Sequence, residues 1–208
     1  MALIALLALA APARAQIFFY PPPYQTGPAS GNEAGLFIPT MVSPTPAEER
    51  ANLIWNLRSG LNVAALNCQY WPLANSVRNY NEILQHHATE LAAAYEGLKA
   101  YFRRTAGASW QERMDEYTTT MYQSYVVVGG QRGFCHVASD VGREALTRPK
   151  GQLFQTAQAR MREMRMSLQP VGETILPTQA PVPVPPLPNL DPRCWRDDTF
   201  DVRRCPTG

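Results

Sequence analysis

The stretch Thr45-Pro46-Ala47-Glu48-Glu49-Arg50-Ala51-Asn52-Leu53-Ile54-Trp55-Asn56-Leu57-Arg58-Ser59-Gly60-Leu61-Asn62-Val63-Ala64-Ala65-Leu66-Asn67-Cys68 decides the fold class. It opens with a hydroxyl free to cap, a proline at the first helical position, and two acids facing the positive end of a helix dipole. Leu53, Leu57, Leu61, Ala64 and Cys68 then recur every three or four residues, the period of one helical face. A helix beginning at Pro46 is predicted, with Cys68 on its buried side.

The same period continues toward the C-terminus. From about Leu73 to Arg104, the residues Val77, Tyr80, Leu84, His87, Leu91, Ala94, Leu98 and Tyr101 alternate four and three apart, a seam suited to an antiparallel bundle. Near Ala108 a third pattern begins, with Trp110, Met114, Tyr117, Met121, Tyr125 and Val128 on one face. The β-branched runs Thr118 to Thr120 and Val126 to Val128 lower its intrinsic propensity, which a buried face can override. Gly129-Gly130 and Gly133 break the chain. A fourth region carries Phe134, Cys135, Ala138, Val141 and Leu146, then Phe154, Ala157, Met161, Met164 and Leu168, and Pro149 to Gly151 divides it into two helices joined by a kink or turn. The predicted class is all-α, a helical bundle of four to five helices over residues 46–170.

Composition sets the flanks. Ala13-Arg14-Ala15 follows the apolar run Ala2 to Ala11, so residues 1–15 read as a secretory signal peptide cleaved after Ala15, too short to span a bilayer. The mature chain, about 190 residues, is long enough for one domain with a core and is expected to be periplasmic or secreted. Residues 16–45 hold one charged residue, Glu33, amid prolines and glycines, and read as an extended arm. Ile17-Phe18-Phe19-Tyr20 and Leu36-Phe37-Ile38 are too apolar to hang in water, so parts of the arm are expected on the domain surface. Seven of the sixteen residues from Pro177 to Pro192 are proline, which makes 171–192 a semi-rigid polyproline linker. Residues 193–208 form a tail between two cysteines.

Cys68, Cys135, Cys194 and Cys205 allow three pairings, and an oxidising compartment favours disulfides over free thiols. Proximity suggests Cys68 with Cys135, stapling the first helix to the fourth region, and Cys194 with Cys205. No Cys-X-X-Cys is present, and the scatter of the four argues against zinc. A net charge of +2 gives no reason to expect nucleic acid as a partner. The basic lean from Arg143 to Arg165 suits the negative end of a helix.

Chemical candidates are few. His86, His87 and Glu90, with Glu82 nearby, offer a half-site for a transition metal, although His87 also falls on the apolar seam as a core histidine would. Met161, Met164 and Met166 could ligate Cu(I), but Met161 and Met164 fit the buried stripe, and core packing is the expected role. Cys135-His136 with Ser139 and Asp140 has parts of a nucleophilic site, which a disulfide at Cys135 disarms. Gly129-Gly130-Gln131-Arg132-Gly133 lacks the residues of a phosphate loop. Tyr95, Tyr101, Phe102, Trp110, Tyr117, Tyr122 and Tyr125 could line a groove for an apolar or sugar ligand, against a default of core packing. Trp195 and Phe200 could make the tail a docking tip, and a tail folded back on its own bundle is the equal alternative.

The segments from Leu57 to Cys68, Asn79-Tyr80-Asn81, and Phe134-Cys135 followed by Gly142-Arg143 resemble uncharacterised exported bacterial proteins of similar size. The resemblance covers roughly residues 50–165 and implies no activity, cofactor or site. The expectation is an exported non-catalytic envelope protein acting in binding or structural interaction, without a cofactor and with an envelope component as partner. The alternative is a periplasmic metal or small-ligand carrier using His86, His87, Glu90 or the methionines.

Overall fold

The computed structural model describes residues 24–126, 130–169, 194–196 and 199–200. The expected signal peptide, the apolar run Ile17 to Tyr20, the Val127 to Gly129 end of the third pattern, the Pro-rich linker and Cys205 lie outside these residues. The fold is an all-α bundle stapled by one disulfide between Cys68 and Cys135. Its helices are α1 (Pro46–Asn67), α2 (Ser76–His86), α3 (Ala88–Ala106), α4 (Trp110–Gln123), α5 (Gln131–Thr147) and α6 (Leu153–Met166), with short 3-10 turns at Pro72–Ala74 and Gly107–Ser109. None of the described helices is long and apolar enough to cross a membrane.

α1 is the central element and packs on each of the other five helices. Its start follows the predicted chemistry as a reciprocal capping box. The Glu48 amide donates to Thr45 Oγ1 (3.3 Å) and the Thr45 amide donates to Glu48 Oε2 (2.7 Å). Burial, however, runs almost around the helix: Asn52, Asn56 and Ser59 are as deeply buried as Leu53 and Leu57. The polar residues link parts of the fold. Asn52 Nδ2 donates to the Gly31 carbonyl (2.6 Å), Tyr117 Oη donates to Asn52 Oδ1 (2.9 Å), and Tyr125 Oη donates to the Asn56 carbonyl (3.1 Å). Burial pushes the Tyr117 and Tyr125 hydroxyls well above the ordinary tyrosine range, so both remain donors.

The seam predicted as one long helix is divided at His87, which ends α2 and precedes α3. Helical hydrogen bonds run through the joint, from the His87 amide to Ile83 and from the Leu91 amide to His87, while φ at His87 opens to −107°. The predicted division at Pro149 to Gly151 separates α5 from α6, and Gly151 takes a positive φ of 84°. Cys68 closes α1 and Cys135 lies in the first turns of α5, with Cα atoms 5.5 Å apart.

The arm is more deeply engaged than a surface strand. Leu36, Phe37 and Met41 are buried in the common core. Arg165 Nε donates to the Leu36 carbonyl (2.7 Å), and the Val42 amide donates to Tyr101 Oη (2.8 Å).

The C-terminal residues form a separate unit. Two-residue strands β1 (Trp195–Arg196) and β2 (Thr199–Phe200) pair antiparallel, with Trp195 opposite Phe200. Cys194 is disulfide-bonded.

Candidate functional site

The structure gives each residue of the metal hypothesis another partner. His86 Nε2 lies 2.9 Å from the Arg148 carbonyl and His87 Nε2 lies 2.9 Å from the Ala145 carbonyl. A carbonyl only accepts, so both Nε2 atoms carry protons. Glu90 holds the N-terminus of α6: the Leu153 amide donates to its Oε2 (2.8 Å) and the Phe154 amide to its Oε1 (3.0 Å). His87 Nδ1 is buried without a hydrogen bond, 3.8 Å from Glu90 Oε2. Glu82 pairs with Arg78 instead. Among the described residues no three His, Cys, Asp or Glu side chains converge to hold a metal ion.

Met161 and Met164 are fully buried, and Tyr125 Oη sits 3.5 Å from Met161 Sδ. Ser139 Oγ donates to the Ala74 carbonyl (2.9 Å) of the 3-10 turn at Pro72–Ala74, and Cys135 is in the disulfide, so neither serves as a nucleophile beside His136. Tyr101, Phe102, Tyr117 and Tyr125 pack in the core, whereas Tyr95 is exposed and tilts against Trp55 with centroids 5.2 Å apart. Trp195 and Phe200 are brought opposite one another by the β1–β2 register.

The feature that best forms a site lies at the other end of α1. Beside the disulfide, the chain from Cys68 through the 3-10 turn and the outer face of α2 wall an open groove of about 670 Å³. Asn75 makes the corner in the left-handed region, at φ 49°, and lets α2 set off along the groove. On α2 the buried residues Asn79, Tyr80 and Ile83 face the core, while Arg78, Asn81, Glu82 and Gln85 form the opposite stripe and line the groove. Trp71 closes the near end. Its indole stacks on the His136 imidazole, with centroids 5.9 Å apart and planes 19° from parallel.

The lining mixes apolar surface from Trp71, Pro72 and Val77 with polar side chains that carry no net charge. Arg78 Nε donates to Glu82 Oε1 at 2.7 Å, one turn apart, and this contact raises the Arg78 pKa further above the ordinary value. The carboxamides of Asn75, Asn81 and Gln85 make no hydrogen bond to the described residues. Val77, itself exposed, lines the groove, and Leu66, Tyr70 and Leu73, close to it in sequence, are exposed as well. A second hollow of about 400 Å³ lies between α1 and α3 over Ala51, Ile54 and Ala94, but its charged groups are engaged: Glu90 caps α6 and Arg50 lies over the Phe154 ring at 3.9 Å.

Sequence reasoning did not single out this groove. The signal was present in Gln69-Tyr70-Trp71-Pro72, an aromatic pair directly after a buried cysteine. It was also present in the polar stripe at 78, 81, 82 and 85, the complement of the apolar seam. No family model, curated protein or solved structure matches the chain.

Proposed function

We propose that this chain is an exported, non-catalytic binding protein that engages a component of the cell envelope through the groove beside Cys68 and Cys135. The observation that carries the reading is the contrast in how polar groups are used. Within the described bundle, acids and histidines in the protected parts serve structure: Glu48 caps α1, Glu90 caps α6, Glu144 bridges Arg148 and Arg160, and the histidines hold carbonyls. In the groove, by contrast, the amide side chains of Asn75, Asn81 and Gln85 surround an open space with no hydrogen bond to the described residues. That is the composition of a surface that recognises rather than reacts. The leader pattern of residues 1–15 and the disulfide support an exported location. The Pro-rich linker and the tail with Trp195 and Phe200 would provide a second contact on a tether.

The test is co-sedimentation of the mature, oxidised protein with envelope preparations from its native host, namely peptidoglycan sacculi and outer-membrane vesicles. The wild type is expected in the pellet of one preparation, with Trp71→Ala and Asn81→Ala/Gln85→Ala left in the supernatant. A chain truncated after residue 176 separates the tail's share. Wild-type protein that pellets with neither preparation, or variants that pellet as well as wild type, would overturn the reading.

A further inference from the structure

Resting on that reading of the groove, we infer that its ligand is a neutral saccharide. The inference follows from which interactions the walls can and cannot make. Arg78 and Glu82 neutralise one another at 2.7 Å, so the stripe on α2 offers neither a free cation nor a free anion. A phosphate-bearing or polyanionic ligand needs unpaired basic groups to offset its loss of hydration, and this surface has none to give. An apolar ligand meets the converse obstacle. A purely hydrocarbon ligand would find apolar contact at Trp71, Pro72 and Val77, but covering Asn75, Asn81 and Gln85 would strip three carboxamides of water and return no hydrogen bonds.

A sugar satisfies both conditions. Each carboxamide presents a donor and an acceptor in one plane, and each hydroxyl is likewise donor and acceptor, so Asn81 and Gln85 can each engage neighbouring hydroxyls of a ring. They lie one turn apart on α2, with the exposed Arg78–Glu82 pair alongside offering a guanidinium and a carboxylate for the same purpose. Trp71 supplies the remaining element, a flat apolar face against which the C–H side of a pyranose can lie. The face is held before binding. His136 stacks on the indole, and Cys135, next to His136 in sequence, is bonded to Cys68, three residues before Trp71. The platform and its support are thus tied together covalently, which lowers the ordering cost of binding. The open groove has room for an oligosaccharide to lie along the stripe from Gln85 toward Trp71.

The experiment is titration of the full mature protein, with its disulfide intact, against neutral tetrasaccharides of glucose and of N-acetylglucosamine in several linkages. An oligouronide of equal length is the charged control. Binding is read by calorimetry and by NMR of the indole and side-chain amide signals. The expected result is saturable binding of at least one neutral tetrasaccharide, with shifts centred on Trp71, Asn75, Asn81 and Gln85 and at least about tenfold weaker binding of the oligouronide. Trp71→Ala and Asn81→Ala/Gln85→Ala should each weaken binding at least about tenfold, while Trp71→Phe, which keeps an aromatic face, retains most of it. Matched melting temperatures show that the variants fold. No saturable binding of any neutral tetrasaccharide up to about 10 mM overturns the inference, as does tighter binding of the oligouronide or binding that the groove variants leave untouched. If no sugar binds while co-sedimentation with the envelope still depends on Trp71, the saccharide inference falls and the groove remains a binding site. If co-sedimentation fails as well, both fall.

Discussion

Glu48 shows how one side chain joins local and distant structure. Its carboxylate closes the capping box of α1 and accepts two hydrogen bonds from Arg104 at the end of α3, at 3.0 and 2.6 Å. Burial alone would raise its pKa, but the Arg104 hydrogen bond, the two contacts with Thr45 and the charge of Arg104 outweigh burial and hold it below the ordinary glutamate value. A carboxyl depressed in the folded state stabilises the fold above its unfolded pKa, near 4.3 for a glutamate, and the contribution is lost as pH falls through the folded value. Glu144, held down against burial by Arg148 and Arg160, acts in the same direction. Stability should therefore fall from about pH 5 downward, and Glu48→Gln should cost about 1.5 kcal/mol at pH 7 and progressively less on acidification. Urea unfolding at a series of pH values checks this; a Glu48→Gln deficit that stays constant down to pH 3 would show that the charge is not the cause. The cap itself was legible, because Thr45, Pro46 and Glu48 are adjacent in sequence. Arg104 was not, since a partner 56 residues away has no local signature. The buried Asn52 and Asn56 were likewise hidden, because asparagine on a helix reads as solvent-facing until its partners are known.

At the scale of elements, the boundaries set by glycine and proline were readable and the one set by tertiary contact was not. Pro149 to Gly151 separates α5 from α6 where the backbone needs a positive φ. The joint at His87 has no such residue, and its apolar seam runs through unbroken. What accompanies the turn there is the pull of neighbours, with His86 on the Arg148 carbonyl and His87 on the Ala145 carbonyl. Three residues on, Glu90 reaches across to the start of α6. Gln152, the residue before α6, supplies no capping hydrogen bond, so the first turn depends on a carboxylate from α3. A negative charge also suits the positive end of the α6 dipole. Glu90→Ala should cost about 2 kcal/mol and Glu90→Gln about half of that. The distinguishing measurement is hydrogen exchange: protection should drop at Leu153 and Phe154 and remain unchanged through the middle of α1. Uniform loss along the chain would mean that Glu90 supports general packing rather than this helix end.

For the molecule as a whole, the bundle was legible because its core obeys the helical period, whereas the burial of Leu36, Phe37 and Met41 was not, since an aperiodic segment carries no statement of which side it buries. The groove is made by a turn and the helix that follows it, contiguous in sequence from Cys68 to Gln85, and it went unread because the corner at Asn75 that sets them against each other has no periodic signature. The disulfide beside it controls more than local geometry. The bond joins residues 67 apart, and α2, α3 and α4 all lie within the closed loop. Restricting so long a loop in the unfolded chain is worth about 4 kcal/mol in the chain-entropy account, against a total stability of about 5–15 kcal/mol for a domain of this kind. Cys68→Ala/Cys135→Ala should thus lower the melting temperature by about 10 °C. The helices should still form, because the contacts of α1 with its five neighbours do not pass through sulfur. Saccharide binding should weaken further than the loss of stability alone explains, since Trp71 and His136 are no longer held together through the bond. Far-UV circular dichroism, thermal melts and titration at a temperature where the variant is fully folded test these three statements separately. A variant that melts within about 2 °C of wild type would show that the unfolded chain is already constrained in this region. One that binds sugar with unchanged affinity would show that the turn holds the indole in place without the disulfide.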